Sequence, residues 1–374
     1  MKNKNILFIL VLIVNCQLSI VNFASAQSIT IGTYTFPDGA LYQGELFKGK
    51  PWGTGTTTFR NGDIHQGKYV KGKREGYGIY QFTDGEKYEG DWLQDHQHGQ
   101  GTYYFKNNNK YVGLWYRDMQ HGQGTMFYYN GDIYKGSWKE DKREGVGTYT
   151  YANGAYYAGT WVADVKTGKG KFDWNDGNVY DGEWKNNQMS GKGTYTYSTG
   201  DTYTGEWLNN VPHGRGIYTY RNGDRYEGAY VNGERTGEGI SSFANGDKYT
   251  GHYLNGEQDG MGTFTWSNNS TYYGQWKGNK QNGRGKYTWS NGNTYEGQWK
   301  DGLMDGEGVL REVDGDKFKG MFKEGVKEGH GVLEDKNGVR YEGEFHRDMK
   351  DGSFVVREGN QVRKTTFIRD IEQN

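Results

Sequence analysis

The chain has 374 residues, and 45 Lys and Arg against 46 Asp and Glu leave it close to neutral. That balance excludes the positive excess of a nucleic-acid binder, and 62 glycines with only 33% hydrophobic residues exclude a conventional aliphatic core. Aromatic residues reach 16%, so any buried surface must come mainly from Tyr, Trp and Phe rings lying over glycine.

Residues 1–26 read as a cleaved export signal. Lys2 and Lys4 give a basic start, Ile6 to Val14 an apolar run, and Ala24-Ser25-Ala26 a small-residue cleavage pattern before Gln27. Nine apolar residues are too few to cross a bilayer. Cleavage removes two of the 45 basic residues, so 43 stand against 46 acidic ones, a net charge of about −3. It also removes Cys16, the one cysteine, and with it disulfides, thiolate metal ligands and cysteine nucleophiles.

Residues 27–41 form an entry strand and N-terminal cap, with alternation from Ile29 to Phe36 and a turn at Pro37-Asp38-Gly39. From Tyr42 to 352 one motif governs the chain: Tyr88-Glu89-Gly90-Asp91-Trp92, with Gly99-Gln100-Gly101 seven residues on. It recurs every 23 residues, from Tyr42 to Tyr341, in fourteen copies without insertion or deletion. Fixed-period self-similarity marks a repeat architecture. The expected fold is all-β: an elongated, twisted antiparallel meander of β-hairpins, built from fourteen 23-residue repeats as a single continuous array. At about 4.8 Å per strand it would extend some 130 Å before twist shortens it.

Each repeat reads as two strands and two turns. The first turn carries Gly49, Gly72, Asp95, Asp118, Asp141 and their equivalents, all Gly, Asp or Asn, which tolerate positive φ. The second carries Asn61-Gly62, Asp84-Gly85, Asn130-Gly131, Asn222-Gly223 and Asn291-Gly292. Glycine at every few positions argues against helix, at about 1 kcal/mol each. The odd period requires one odd loop per unit, since side chains alternate with period 2. A three-residue turn with a left-handed Gly, or an equivalent bulge, restores the face, and the Asn-Gly turn is the better candidate. Together with a first hairpin symmetric about 49 and 50, it pairs Thr57 with His65, Gly44 with Gly55, Tyr88 with Tyr103 and Trp92 with Gly99.

A second aromatic column runs from Phe59 through Phe82, Phe105, Tyr128, Tyr151 and Trp174 to Trp289, then fails at Glu312 and Asp335. Phe318 and Phe322 replace the motif Tyr and Trp, and the last unit reads Gly352-Ser353-Phe354. Divergent end units serve as caps. Residues 353–374 are then a closing strand, Phe354 to Ile368, and a frayed tail, Arg369 to Asn374.

The candidate binding groove is the aromatic row Tyr88, Trp92, Tyr111, Trp115, Tyr134, Trp138, Tyr157, Trp161, Tyr180, Trp184, Tyr203 and Trp207. Structural glycines accompany it: Gly90, Gly99, Gly101, Gly136, Gly145, Gly147, Gly182, Gly191 and Gly193. The row reads either as the core of a thin sheet or, in part, as an open groove for a peptide strand, a glycan or a lipid headgroup. No catalytic or metal-binding residue is expected. The recurrent Gly-x-Gly opens strands, lacks a third glycine and has no helix behind it, unlike a phosphate loop. His98, His121 and His213 share one repeat position, at which neighbouring copies lie about 10 Å apart, too far for one zinc ion. The same column holds Glu75, Glu144, Asp259, Asp305, Glu328 and Asp351, whose spacing imitates an inverting glycosidase pair. An active site is singular, and this pattern is periodic.

The motif resembles the MORN repeat, the membrane occupation and recognition nexus motif. Its clearest copies are Tyr180-Asp181-Gly182-Glu183-Trp184 with Gly191-Lys192-Gly193, and Tyr295-Glu296-Gly297-Gln298-Trp299 with Gly306-Glu307-Gly308. Leu46, His65, Asn108 and Asn269 depart from it locally. The resemblance implies hairpins in a twisted sheet, motif aromatics lining a groove, and a role as scaffold, spacer or self-association module. Phospholipid binding has been proposed for the family. About 20 residues follow the repeats, so the catalytic domain of the lipid kinases that carry such segments is not expected. The expectation is an exported, non-enzymatic scaffold or protein-interaction module of the cell envelope, without cofactor. Its partner is another protein or itself, end-to-end or side-by-side, with a phospholipid headgroup or a glycan as alternatives and no nucleic acid. The destination is periplasm, outer membrane or medium.

Overall fold

The computed structural model describes residues 28–373, so the export signal expected at 1–26 lies outside the described residues. These residues form 31 strands and no helix. They group into two compact units, one up to Lys106 together with Trp115–Asp118, the other Asn107–Leu114 and everything from Met119 on. In the first unit, strands from Thr30–Thr35 to His96–Tyr104 each pair antiparallel with the next in sequence. In the second, the same meander runs from Met119–Phe127 to Ile371–Gln373. The all-β class and the hairpin meander are as expected, and the 23-residue phase continues across both units.

The hairpin Lys87–Leu93 with His96–Tyr104 shows the local logic. Leu93 pairs with His96, and the loop residues Gln94 and Asp95 have φ of 49° and 76°. This is the two-residue turn that demands positive φ twice, which Asp, Asn and Gly accept. The other turn is the expected three-residue loop: Phe82 N–H donates to Glu86 O, Gly85 N–H donates to Phe82 O, and Gly85 has φ 96°. It restores the face, so Thr57 pairs with His65, Tyr88 with Tyr103 and Gly44 with Gly55.

One expected pair is corrected. Trp92 faces Gln97 in its own hairpin, not Gly99, and Gly76 in the preceding one. The two-residue turn lies one position earlier than expected, and a bulge between Gly90 and Trp92 makes up the difference. There Asp91 alone stands against residues 98–100. Gly99 takes φ 64° in the bulge, and the Asp91 carboxylate accepts Gln100 N–H at 3.1 Å. The bulge thus carries its own side-chain support.

The C-terminal end also differs. In place of one strand from Phe354 to Ile368 there are two, Met349–Glu358 and Gln361–Ile368. The expected tail forms a third, Ile371–Gln373, paired with the second. Their connection at Gly359 is a two-residue loop, with Glu358 pairing Gln361. Being one residue shorter than its equivalents, it moves the buried aromatic from position 368 to Phe367, which packs 5.2 Å from Phe354.

Candidate functional site

Alternation puts Tyr180, Gly182 and Trp184 on one face of their strand and Asp181, Glu183 and Lys185 on the other. The first face is core. Tyr88, Tyr111, Tyr134, Tyr157, Tyr180 and Tyr203 are fully buried. Trp92, Trp115, Trp138, Trp161, Trp184 and Trp207 expose between 2% and 6%. Within the second unit the rings meet edge-on across repeats: Tyr180 lies 5.3 Å from Trp184 and 5.3 Å from Trp207. Each tryptophan N–H reaches back one hairpin, as Trp184 Nε1 does to Gly170 O at 2.8 Å.

The tyrosine, rather than the tryptophan, shelters the glycines. Gly90 faces Gly101, Gly136 faces Gly147 and Gly182 faces Gly193. A Cβ on Gly193 would fall 2.6 Å from Tyr180 Cε2. Gly145 and Gly191, like Gly99, sit in bulges at positive φ.

A further column seals the row from solvent. The Arg143 guanidinium lies 4.4 Å over Trp161, and Lys166 Nζ lies 4.6 Å over Phe172 and 5.3 Å over Trp184. Burial, with Arg143 as a lesser cause, pulls Lys166 down to about 8. Gln97, Gln120, Met189 and Gln258 occupy equivalent positions and are buried. The motif rings therefore line no open groove: long side chains from the second strand lie across them.

Two acceptor ladders, not anticipated from the sequence, join successive repeats. Asp164 Oδ1 accepts Arg143 N–H at 3.0 Å, and Asn187 and Asn210 do the same for Lys166 and Met189. At the three-residue loops, Asp132 Oδ1 accepts Ala152 N–H at 2.9 Å and its Oδ2 accepts the Tyr149 hydroxyl at 2.6 Å. Burial pushes the Asp132 carboxyl up, but bonds from Tyr149, Ala152 and Asn130 outweigh it and hold it below the usual carboxylate range. Self-alignment at 23 residues shows both columns as runs of Asp and Asn, which is the signal that identifies them.

The acidic column proves structural where its contacts are defined. Glu75, Glu144, Asp305 and Glu328 each accept a turn N–H of the next repeat. His98 packs on Tyr116 at 5.3 Å, and the described residues hold no cluster of three metal-binding side chains.

Open space lies on the other face. In the second unit troughs of about 880, 640 and 430 Å³ open there, floored by glycine backbone. The largest runs from Met261 to Arg340, across Gly274, Gly285, Gly297, Gly308, Gly320 and Gly331. Bare backbone between walls of longer side chains is what makes the trough.

No curated protein matches the sequence. Solved structures similar in part include the TCP10 domain of Danio rerio CPAP in complex with a peptide of Danio rerio STIL. It is 12% identical over 59% of this chain and 93% of that one, with a TM-score of 0.34. The Drosophila melanogaster SAS-4 TCP domain, in complex with a proline-rich motif of Ana2, is 14% identical over 41% and 84%, at 0.28. Virginiamycin B lyase from Staphylococcus aureus is 8% identical over 86% and 96%, at 0.13. Likenesses this distant carry no argument about function. The model of the MORN repeat, by contrast, matches fifteen consecutive segments from 31–41, through 42–64 and each 23-residue step, to 341–353. The chain belongs to the MORN repeat family.

Proposed function

We propose that the chain is a non-enzymatic interaction module of the cell envelope, and that it binds a protein partner along the glycine-floored face. The observation that carries this reading is the asymmetry of the sheet. One face is committed to core, with its rings buried, and the other holds continuous open troughs. Export is part of the proposal and rests on the grammar of residues 1–26. Catalysis has no support in the columns that imitate it, since those carboxylates hold turn amides.

Membrane-surface binding is the rival reading, and near-neutral charge argues against it. Affinity capture from the native envelope and flotation with neutral and acidic vesicles test the pair. The proposal expects a specific protein partner and weak flotation that is indifferent to lipid charge. Strong flotation with acidic vesicles at physiological salt, without a protein partner, would overturn it. Recovery of the chain in the cytosol would overturn the export clause.

A further inference from the structure

The largest trough has a character of its own. At the rim position the repeats from 208 carry Leu208, Val231 and Leu254, and then Lys277, Lys300 and Lys323. Each follows the buried Trp, Tyr or Phe of its strand and so lies on the trough face. The apolar rim becomes a row of three exposed lysines about 10 Å apart.

Inside the trough Arg284, Lys286 and Lys319 are exposed, and among the described residues none of the three forms an ion pair. The lining carboxylates are Glu296 and Glu307, whereas His330 and Arg340 are already held by Glu344 and Glu342. Between the free cations stand apolar groups: Tyr273 exposes 60%, Met261 42% and Met321 39%. Cations that outnumber the lining carboxylates, with Glu296 opposite Lys286 across the strands, and exposed methionines among them describe a surface short of its partner.

We infer that this trough, Met261 to Arg340, takes an acidic polypeptide segment of a partner, laid extended across the strands with carboxylates on Arg284, Lys286 and Lys319 and apolar side chains on Met261 and Met321. The inference rests on the protein-binding reading above and adds the place and the chemistry. Charge complementarity selects the occupant. The lining spans eight successive strands, roughly 35 Å, which an extended peptide of about ten residues covers. A bilayer fits worse, because a flat headgroup surface meets the rim lysines and leaves the floor unfilled. A glycan fits worse, because Tyr273 is the one Tyr, Trp or Phe in the lining.

The test is fluorescence anisotropy on the full exported chain. Its probe is a labelled peptide of about ten residues alternating Glu and Leu, with a Gln and Leu peptide, acidic phosphatidylglycerol vesicles and polygalacturonate as comparators. The Glu peptide should bind about tenfold more tightly than the Gln peptide and weaken about tenfold between low and high salt. The double variant Arg284→Glu, Lys319→Glu should lose at least that factor. Arg221→Glu, at an exposed turn outside the trough linings, should stay within about twofold. Circular dichroism confirms that the exposed substitutions leave the fold intact. Equal affinity for the two peptides, no response to the double variant, or stronger binding of vesicles or polygalacturonate that the double variant abolishes would each overturn the inference. If no peptide binds but envelope capture still yields a partner, this trough is wrong and the broader reading stands.

Discussion

The Tyr180 hydroxyl donates to the backbone carbonyl of Glu183 at 2.9 Å, at the point where the bulge interrupts the ladder. One side chain therefore covers the facing glycines with its ring and serves the bulge with its oxygen. The same bond recurs at Tyr42, Tyr88, Tyr111, Tyr134, Tyr157, Tyr203, Tyr226, Tyr249, Tyr272 and Tyr295. It explains why the motif prefers tyrosine to phenylalanine in a column that is fully buried.

Tyr180→Phe keeps the ring and removes the donor. It should cost about 1–2 kcal/mol, the penalty of an unpaired buried carbonyl, read as a lower urea midpoint. Phe318→Tyr runs the experiment in reverse, in a repeat that lacks the hydroxyl, and should stabilise by about 1 kcal/mol. A neutral result for both would show that the ring alone matters.

Gly193→Ala places a methyl group 2.6 Å from Tyr180 Cε2, with the ring held by the Glu183 bond. Overpacking of that kind should cost about 3 kcal/mol and expose the amides of the repeat to rapid hydrogen exchange. Protection equal to the parent would mean that ring and sheet separate more easily than the contacts imply.

The turn ladder makes a sharper pair. Asp95 N–H donates to Arg74 O while Asp95 Oδ1 accepts Arg74 N–H. Where proline stands in the Arg74 position and has no N–H to give, glycine stands in the Asp95 position: Gly72 N–H donates to Pro51 O and Gly233 N–H to Pro212 O. Gly256 faces Arg235, which has an N–H to give. Gly256→Asp should therefore exceed Gly233→Asp in stability by about 1 kcal/mol, since φ at the two positions is 84° and 87° and any backbone cost is shared. Equal melting temperatures would refute the ladder as a source of stability.

Asp132 sets a pH dependence. Its folded-state value lies below the unfolded one, so its contribution is complete above about pH 4 and is lost as pH falls through the folded value. Asp132→Asn should flatten the urea midpoint between about pH 5 and 2 relative to the parent. An unchanged slope would place the acid sensitivity elsewhere.

The sequence made the period, the meander and the odd loop legible because parity is arithmetic: 23 residues cannot return a strand to its face without one odd loop or an equivalent bulge. It left Trp92 mispaired because the bulge at Gly90 adds residues to one strand while the turn shifts by one, and the two changes cancel at Gly44 and Gly55. The Asp164 column was visible as a turn former and the Asp132 column was not singled out; that they accept Arg143 and Ala152 N–H one repeat away depends on the stacking of hairpins. The rings were legible as a row. That they are sealed depends on Arg143 and Lys166, whose charge reads as surface until the guanidinium is seen over Trp161 and the ammonium over Trp184.

Hydroxyl-radical footprinting with residue-level mass spectrometry tests the central claim, that the motif rings are core and the opposite face is the working surface. Tyr157, Trp161, Tyr180 and Trp184 should remain unlabelled in the native chain, while Tyr273, 60% exposed, and Tyr129, 75% exposed, oxidise readily. Labelling of the motif tyrosines and tryptophans at the rate of Tyr129 would contradict it.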